Sequence, residues 1–283
     1  MSTKLLRGAR IAGLVLTAIA CAAFGSSFES QAQQTTAQGA PDPWPELADS
    51  LFKGRPLADG ASLIAIEMPG RADDAAIVPM TVRATLPAGD PRRVKSFTVV
   101  IDENPAPVAA TFSIGPNAVV SSISTRVRVN SYTNVHAVAE LTDGKLYVVK
   151  TYVKASGGCS APATKSADKV GIGEMRFRQF ARSADAAAGN LREAAVMIRH
   201  PNNSGLQMDQ LTRLYLPAYF VQSVKVFQGE ELLLAMDGSI SISEDPNIRF
   251  SYLPSTAKSF SVEAVDTDNR VFKGEWPADA SQM

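Results

Sequence analysis

From about residue 63 onward the chain alternates apolar and polar side chains with a period of two, the pattern of strands with one face in a core and one in water. The clearest case is 123–129. Ile123, Thr125, Val127 and Val129 share one face, while Ser124, Arg126 and Arg128 share the other, which should be wet. Segments of this kind occupy 63–68, 77–86, 94–102, 108–114, 123–130, 134–141 and 145–154. After a break they resume at 174–181, 194–199, 223–227, 232–235, 239–243, 247–252, 260–266 and 270–276. Turn signals separate them: Thr142-Asp143-Gly144-Lys145 reads as a tight hairpin, Asn104-Pro105-Ala106-Pro107 cannot continue a central strand, and Asp266-Thr267-Asp268-Asn269 suits a reversal.

One helix is expected, over 45–52, with Leu47, Leu51 and Phe52 on one face, Pro45 in the first turn and Gly54 as the stop. The fold class is therefore all-β: two sandwich domains, 44–154 and 170–278, with a short N-terminal helix, joined by a segment at 155–169. The His200–Gly205 stretch and Leu216-Pro217-Ala218 are the irregular loops where such folds keep recognition surfaces.

Residues 1–32 belong to a different pattern. Lys4, Arg7 and Arg10 precede an apolar run at 11–24 that is too short to span a membrane comfortably, and Ser30-Gln31-Ala32 offers a cleavage site. This is a secretory signal peptide, so the mature chain is expected to be periplasmic and without a transmembrane span. Cys21, after Ala18-Ile19-Ala20, faintly resembles a lipoprotein box and leaves lipid anchoring as the alternative. Polar, Pro-rich 33–43 reads as a disordered tail, and 279–283 as a short terminal one.

Removing the leader changes the charge and cysteine arithmetic. The whole chain has 28 basic and 28 acidic residues; Lys4, Arg7, Arg10 and Glu29 leave with the leader, so 25 basic residues face 27 acidic ones. That balance gives no electrostatic case for nucleic acid or an anionic membrane. Of the two cysteines, only Cys159 remains, with no intramolecular partner in an oxidising compartment.

Cys159 follows Gly157 and Gly158, which free the backbone, and precedes the small polar run 160–169. From Lys154 the chain could reach roughly 17 Å at about 3.3 Å per residue. Gly157 and Gly158 are thus a candidate hinge, and Cys159 a thiol on an arm with few packing contacts. A linker that happens to carry a cysteine is the plainer reading.

Catalytic, cofactor and metal signals are absent. His136 and His200 have no second histidine at metal-ligand spacing, Gly171-Ile172-Gly173 lacks the rest of a dinucleotide loop, and 266–269 lacks the later positions of a calcium loop. A thiol enzyme needs its nucleophile fixed against a base, which a Gly-Gly hinge opposes. No cofactor and no catalytic residue are assigned.

The chain resembles the exported sulfur-oxidation carrier built of SoxY and SoxZ subunits, here fused. The SoxY likeness rests on Leu51-Phe52-Lys53-Gly54-Arg55-Pro56, Ile77–Val82, Glu103–Pro107, Ser124–Arg128 and Gly157-Gly158-Cys159. The SoxZ likeness rests on Ile198–Pro201, Leu216–Phe220 and Ser243–Asn247. The resemblance implies two immunoglobulin-like sandwiches docked side by side. It also implies a non-catalytic protein whose Cys159 holds thiosulfate-derived sulfur covalently and presents it to sulfur-oxidation enzymes. Fused carriers of this kind are similar to those associated with quinoprotein dehydrogenase systems, so the cargo need not be thiosulfate. An accessory module that binds such a dehydrogenase without carrying sulfur is the alternative. Two departures stand out: the family's Gly-Gly-Cys-Gly-Gly becomes Gly157-Gly158-Cys159-Ser160-Ala161, tethered at both ends, and its His-Pro-Met becomes His200-Pro201-Asn202.

Overall fold

The computed structural model describes residues 41–162, 171–180 and 190–278. The expected leader with Cys21, most of the 33–43 tail, the later part of the linker and 279–283 lie outside the described residues. Helix α1 (Trp44–Phe52) forms where its apolar spacing predicts; Lys53 then takes a left-handed conformation at φ 55° and returns its N–H to Asp49 O. Gly54 follows at φ 68°.

In the first half the strands are β1 (Leu57–Asp59), β2 (Ile64–Glu67), β3 (Val78–Ala84), β4 (Val94–Ile101), β5 (Val108–Ile114), β6 (Ser122–Val127), β7 (Thr133–Leu141) and β8 (Leu146–Val153). The second half adds β9 (Met175–Phe180), β10 (Arg192–Ile198), β11 (Val221–Gln228), β12 (Glu231–Gly238), β13 (Asn247–Tyr252), β14 (Ser259–Asp266) and β15 (Val271–Pro277). The alternation predicts all but β1. Three residues are too few to show a period, and β1 pairs parallel with β8 at the edge of its sheet.

These strands form two sheets, ordered β1-β8-β7-β4-β5-β12-β11-β14-β15 and β2-β3-β6-β13-β10-β9. Each half contributes to both layers, giving two sandwiches set edge to edge. The seam between them is continuous backbone pairing: β5 meets β12 from Ile114↔Leu234 to Ala110↔Gly238, and β6 meets β13 at Ser124↔Arg249 and Ile123↔Phe250. Both junctions are antiparallel. A single buried cluster crosses the seam, with Phe97, Phe112 and Ile123 from the first half and Val196, Phe250 and Phe260 from the second. Burying that much apolar surface is the main term holding the halves together. Instead of two separate cores, the two sandwiches share one.

Polar side chains complete the seam. Ser251 accepts from the N–H groups of Ser121 and Ser122, each at 2.9 Å. The 239–243 segment, Ser-Ile-Ser-Ile-Ser, is not the expected strand. It leaves the ladder after Gly238 and pairs with β6 at the isolated bridge Val127↔Ile242. Its serines are not a wet face: Ser241 donates to Ala106 O at 3.0 Å and Ser243 to Ala76 O at 2.7 Å, both across the seam. Alternation alone cannot tell a solvated serine from one buried on a carbonyl.

Candidate functional site: a buried thiol at the seam

Strand β8 ends at Val153, and the chain that follows does not leave the surface. Lys154 donates to Gly70 O at 3.0 Å and accepts from Ala72 N–H at 3.1 Å. Gly157 then donates to Asn130 O at 2.8 Å and Gly158 to Val129 O at 3.0 Å, and a turn closes with Ser160 N–H to Gly157 O. The expectation of an arm with few packing contacts is therefore corrected as far as Ala161: the segment is docked, and Cys159 is 0% exposed. The backbone accounts for this. The N–H groups of Gly157 and Gly158, which a free arm would leave to water, find carbonyls just past the end of β6, and such groups must be paired when buried.

The two glycines have different jobs. Gly157 sits at φ 77° with nothing nearer a Cβ than Ser160 Oγ at 3.9 Å, so its conformation, not its space, is what favours glycine. At Gly158 a Cβ would fall 2.0 Å from Ala75 O and 2.6 Å from Val129 O, so its lack of a side chain is what lets the segment seat. As a candidate hinge the pair is thus also the seat of the thiol.

The second half covers the segment from the other side. Ser204 donates its hydroxyl to Cys159 O and Gln207 its amide to Ala161 O, at 2.9 Å for the latter. Both belong to the irregular stretch between β10 and β11, whose outer part exposes Leu211, Leu214 and Tyr215. Cys159 thus lies where the first half's strand ends meet the second half's loop. Burial pushes its thiol up to about 11, against the weaker opposing pull of Arg128. At neutral pH the docked thiol is protonated and a poor nucleophile.

Arg128 is the residue that pattern reading misplaces. Its alternation puts it on a wet face, but β6 ends at Val127 and the next side chain turns under the Cys159 segment, where it is 1% exposed. Its Nη1 donates to Gly158 O at 3.2 Å and its Nη2 to Asn202 O at 3.3 Å. Asn104, from the Asn-Pro-Ala-Pro turn, braces the backbone here. Its amide donates to Arg128 O at 2.7 Å and to Ser241 Oγ at 2.9 Å, and its carbonyl oxygen accepts from Asn130 N–H at 2.8 Å. Sequence reading picked out that turn but not its amide.

Asn202, where the chain departs from the family pattern, is 0% exposed and held at φ 44°. Its N–H donates to His200 Nδ1 at 3.1 Å, so that ring nitrogen carries no proton. His200 Nε2 lies 3.6 Å from Asp266 Oδ2, an oxygen already accepting from Tyr219 and Arg270. Burial lowers the His200 pKa more than Asp266 raises it. His136 lies elsewhere, in β7, bonded to Asp102 at 2.9 Å and stacked on Trp44 with ring centroids 3.6 Å apart. Neither histidine approaches the thiol closely enough to be bonded to it.

Fold and site together define an all-β, two-sheet protein with one protonated thiol clasped at the junction of two sandwiches. The family comparisons resolve those sandwiches separately: residues 48–159 match SoxY, sulfur oxidation protein SoxY, and residues 180–277 match SoxZ, sulphur oxidation protein SoxZ. The chain belongs to the SoxY and SoxZ sulfur-oxidation family, with both units in one polypeptide. The SoxY match ends on Cys159 itself.

No curated protein matches the chain. Among solved structures, the sulfur carrier protein SoxY from Chlorobium limicola f thiosulfatophilum is 25% identical over 40% of this chain and 91% of its own, with a TM-score of 0.34. A superoxide reductase (neelaredoxin) from Ignicoccus hospitalis is 11% identical over 32% of this chain and 79% of its own, with a TM-score of 0.29. A putative superoxide reductase from Thermotoga maritima is 14% identical over 38% and 98%, with a TM-score of 0.31. No helix of the described residues is long and apolar enough to cross a membrane.

Proposed function

We propose that this protein is an exported, periplasmic sulfur-compound carrier that holds its cargo covalently on Cys159 and presents it to partner oxidising enzymes without itself catalysing a reaction. The observation that carries this reading is that Cys159 closes the SoxY match and rests in a segment held by backbone hydrogen bonds and two glycines. Such contacts can be exchanged for water or for a partner's backbone at little cost once the segment lifts. In the docked state the thiol is protonated and shielded, so it does not react with passing oxidants. When lifted, it loses the burial that raises its pKa and becomes competent to form an S–S bond.

Joining thiosulfate to the thiol forms one sulfur–sulfur bond and releases a proton and two electrons. A partner oxidant must take those electrons, which is why the carrier works with separate enzymes. Those partners are sulfur-oxidation enzymes or a quinoprotein dehydrogenase system. Gly157 and Gly158 allow the segment to move between seat and partner.

The test is the intact mass of the protein recovered from its exporting cell after growth on thiosulfate, with Cys159→Ala as the control. A sulfur-containing mass gain confined to the wild type is expected. A thiol that is always unmodified favours the alternative, a non-covalent accessory module of an exported dehydrogenase.

A further inference from the structure

Arg128 is the largest of the fully buried side chains, and its charge is poorly matched. A buried guanidinium is costly unless carboxylates or a full set of acceptors surround it. Among the described residues no carboxylate lies within ion-pair distance of it; Glu244 and Asp74 act on it only at longer range. Its side-chain partners are two carbonyls, at 3.2 and 3.3 Å, and its Nε has none. Five N–H donors with two long bonds leave capacity for an anion.

The placement of that spare capacity is specific. The acceptor of Nη1 is the carbonyl of Gly158, the residue before Cys159, so lifting the segment to free the thiol also frees Nη1, while Nη2 stays on Asn202 O. Arg128 itself does not move with the segment. Its N–H donates to Ser241 O at 2.7 Å and its carbonyl is held by Asn104, both part of the seam. Lifting the segment therefore uncovers a fixed cation at the place the thiol has just left.

We propose that Arg128 is the anion-binding residue of this site, receiving the negatively charged end of the sulfur group that is to be joined to Cys159, so that the site takes anionic sulfur species in preference to neutral ones. This rests on the carrier reading for its cargo. A forked guanidinium suits a group with two or three equivalent oxygens, as on a sulfonate or thiosulfate terminus. The role is one of binding and orientation: Arg128 forms and breaks no covalent bond.

The experiment alkylates the full-length protein with iodoacetate, which is anionic, and with iodoacetamide, which is neutral. The rate at the Cys159 peptide is read by mass spectrometry. Both reagents need the segment to lift, so its opening cancels in the ratio of the two rates. In the native wild type the iodoacetate-to-iodoacetamide ratio is expected to exceed that of the same chain unfolded in urea by about tenfold at low salt, and to decline as salt is added. Arg128→Gln should bring the native ratio down to the unfolded one, and Arg128→Lys should keep part of the excess.

A wild-type ratio equal to that of the unfolded chain overturns the proposal, and this comparison needs no variant to fold. A purely mechanical latch would change both rates together in Arg128→Gln and leave the ratio untouched, which also overturns it. Sulfur loading is read separately as intact mass. An absent sulfur adduct with a retained charge preference would count against the carrier reading and not against the anion site.

Discussion

Arg128 and Gly158 are joined by a hydrogen bond of 3.2 Å from a buried guanidinium to the carbonyl beside the fold's one described cysteine. The bond ties the resting place of the thiol to the end of β6 and, through the second acceptor on Asn202, to the other half of the protein. What happens to the thiol is thus readable through changes made at the seam.

Gly158→Ala should evict the segment. The new Cβ would lie 2.0 Å from one backbone carbonyl and 2.6 Å from another, neither of which can swing aside. We expect a loss of about 2 kcal/mol with the sandwich retained. Cys159 should then be alkylated at nearly the unfolded-chain rate. A thiol that stays as protected as in the wild type would refute the seat assigned to Gly158.

Cys159 should make stability fall at high pH. Its folded pKa is raised, so its contribution is fully present below the unfolded value near 9 and is lost as pH rises through about 11. Two units correspond to a loss on the order of 2 kcal/mol. Urea unfolding of wild type and Cys159→Ala at pH 8 and pH 11 measures it. The wild type should lose more, and equal losses would mean that the thiol ionises freely in the fold.

His200 acts in the opposite direction. Its folded pKa lies below the ordinary 6.5, so the stability it contributes is present above that value and lost as pH falls through the lower folded one. Between pH 7.5 and 5.5, measured by urea unfolding, the wild type should lose more stability than His200→Gln, and equal losses would refute the lowered His200 pKa. Protonating Nδ1 would also oppose the N–H of Asn202 that it now accepts, so alkylation of Cys159 should quicken over the same range.

Asn104→Ala should cost about 3 kcal/mol. It removes three hydrogen bonds and leaves Arg128 O without its partner in a buried place and Asn130 N–H without its partner in a half-buried one. Thermal unfolding is the measurement. A change under about half a kcal/mol, the size expected at an exposed site, would mean that the turn is solvated.

The strands show where a sequence speaks plainly. β5 and β13 fall on the predicted residues because one of their faces meets the core and the period of two records it. The same rule fails at Arg128 and in 239–243, where the covering chain comes from 30 or more residues away and leaves no local trace. Cys159 stands out in the sequence, since an unpaired cysteine after two glycines is conspicuous. Its burial was not. Gly157-Gly158 permits a free arm and a close-fitting seat equally, and only the carbonyls of Ala75, Val129 and Asn130 decide between them. Ser204 and Gln207 carried no signal at all, because a serine and a glutamine in a loop look the same whether or not they hold another segment.

The seam between the halves limits how the proposed cargo could be delivered. One shared ladder would let two bodies flex about the line of their junction. Here there are two, β5 with β12 in one layer and β6 with β13 in the other, and no single axis serves both. Tilting one sandwich against the other would tear one ladder or compress the core between them. That leaves the two sandwiches little bending freedom, so under the proposed carrier function exposing Cys159 would be work for the peptide around it alone, and a docking enzyme would meet a rigid platform with one movable part.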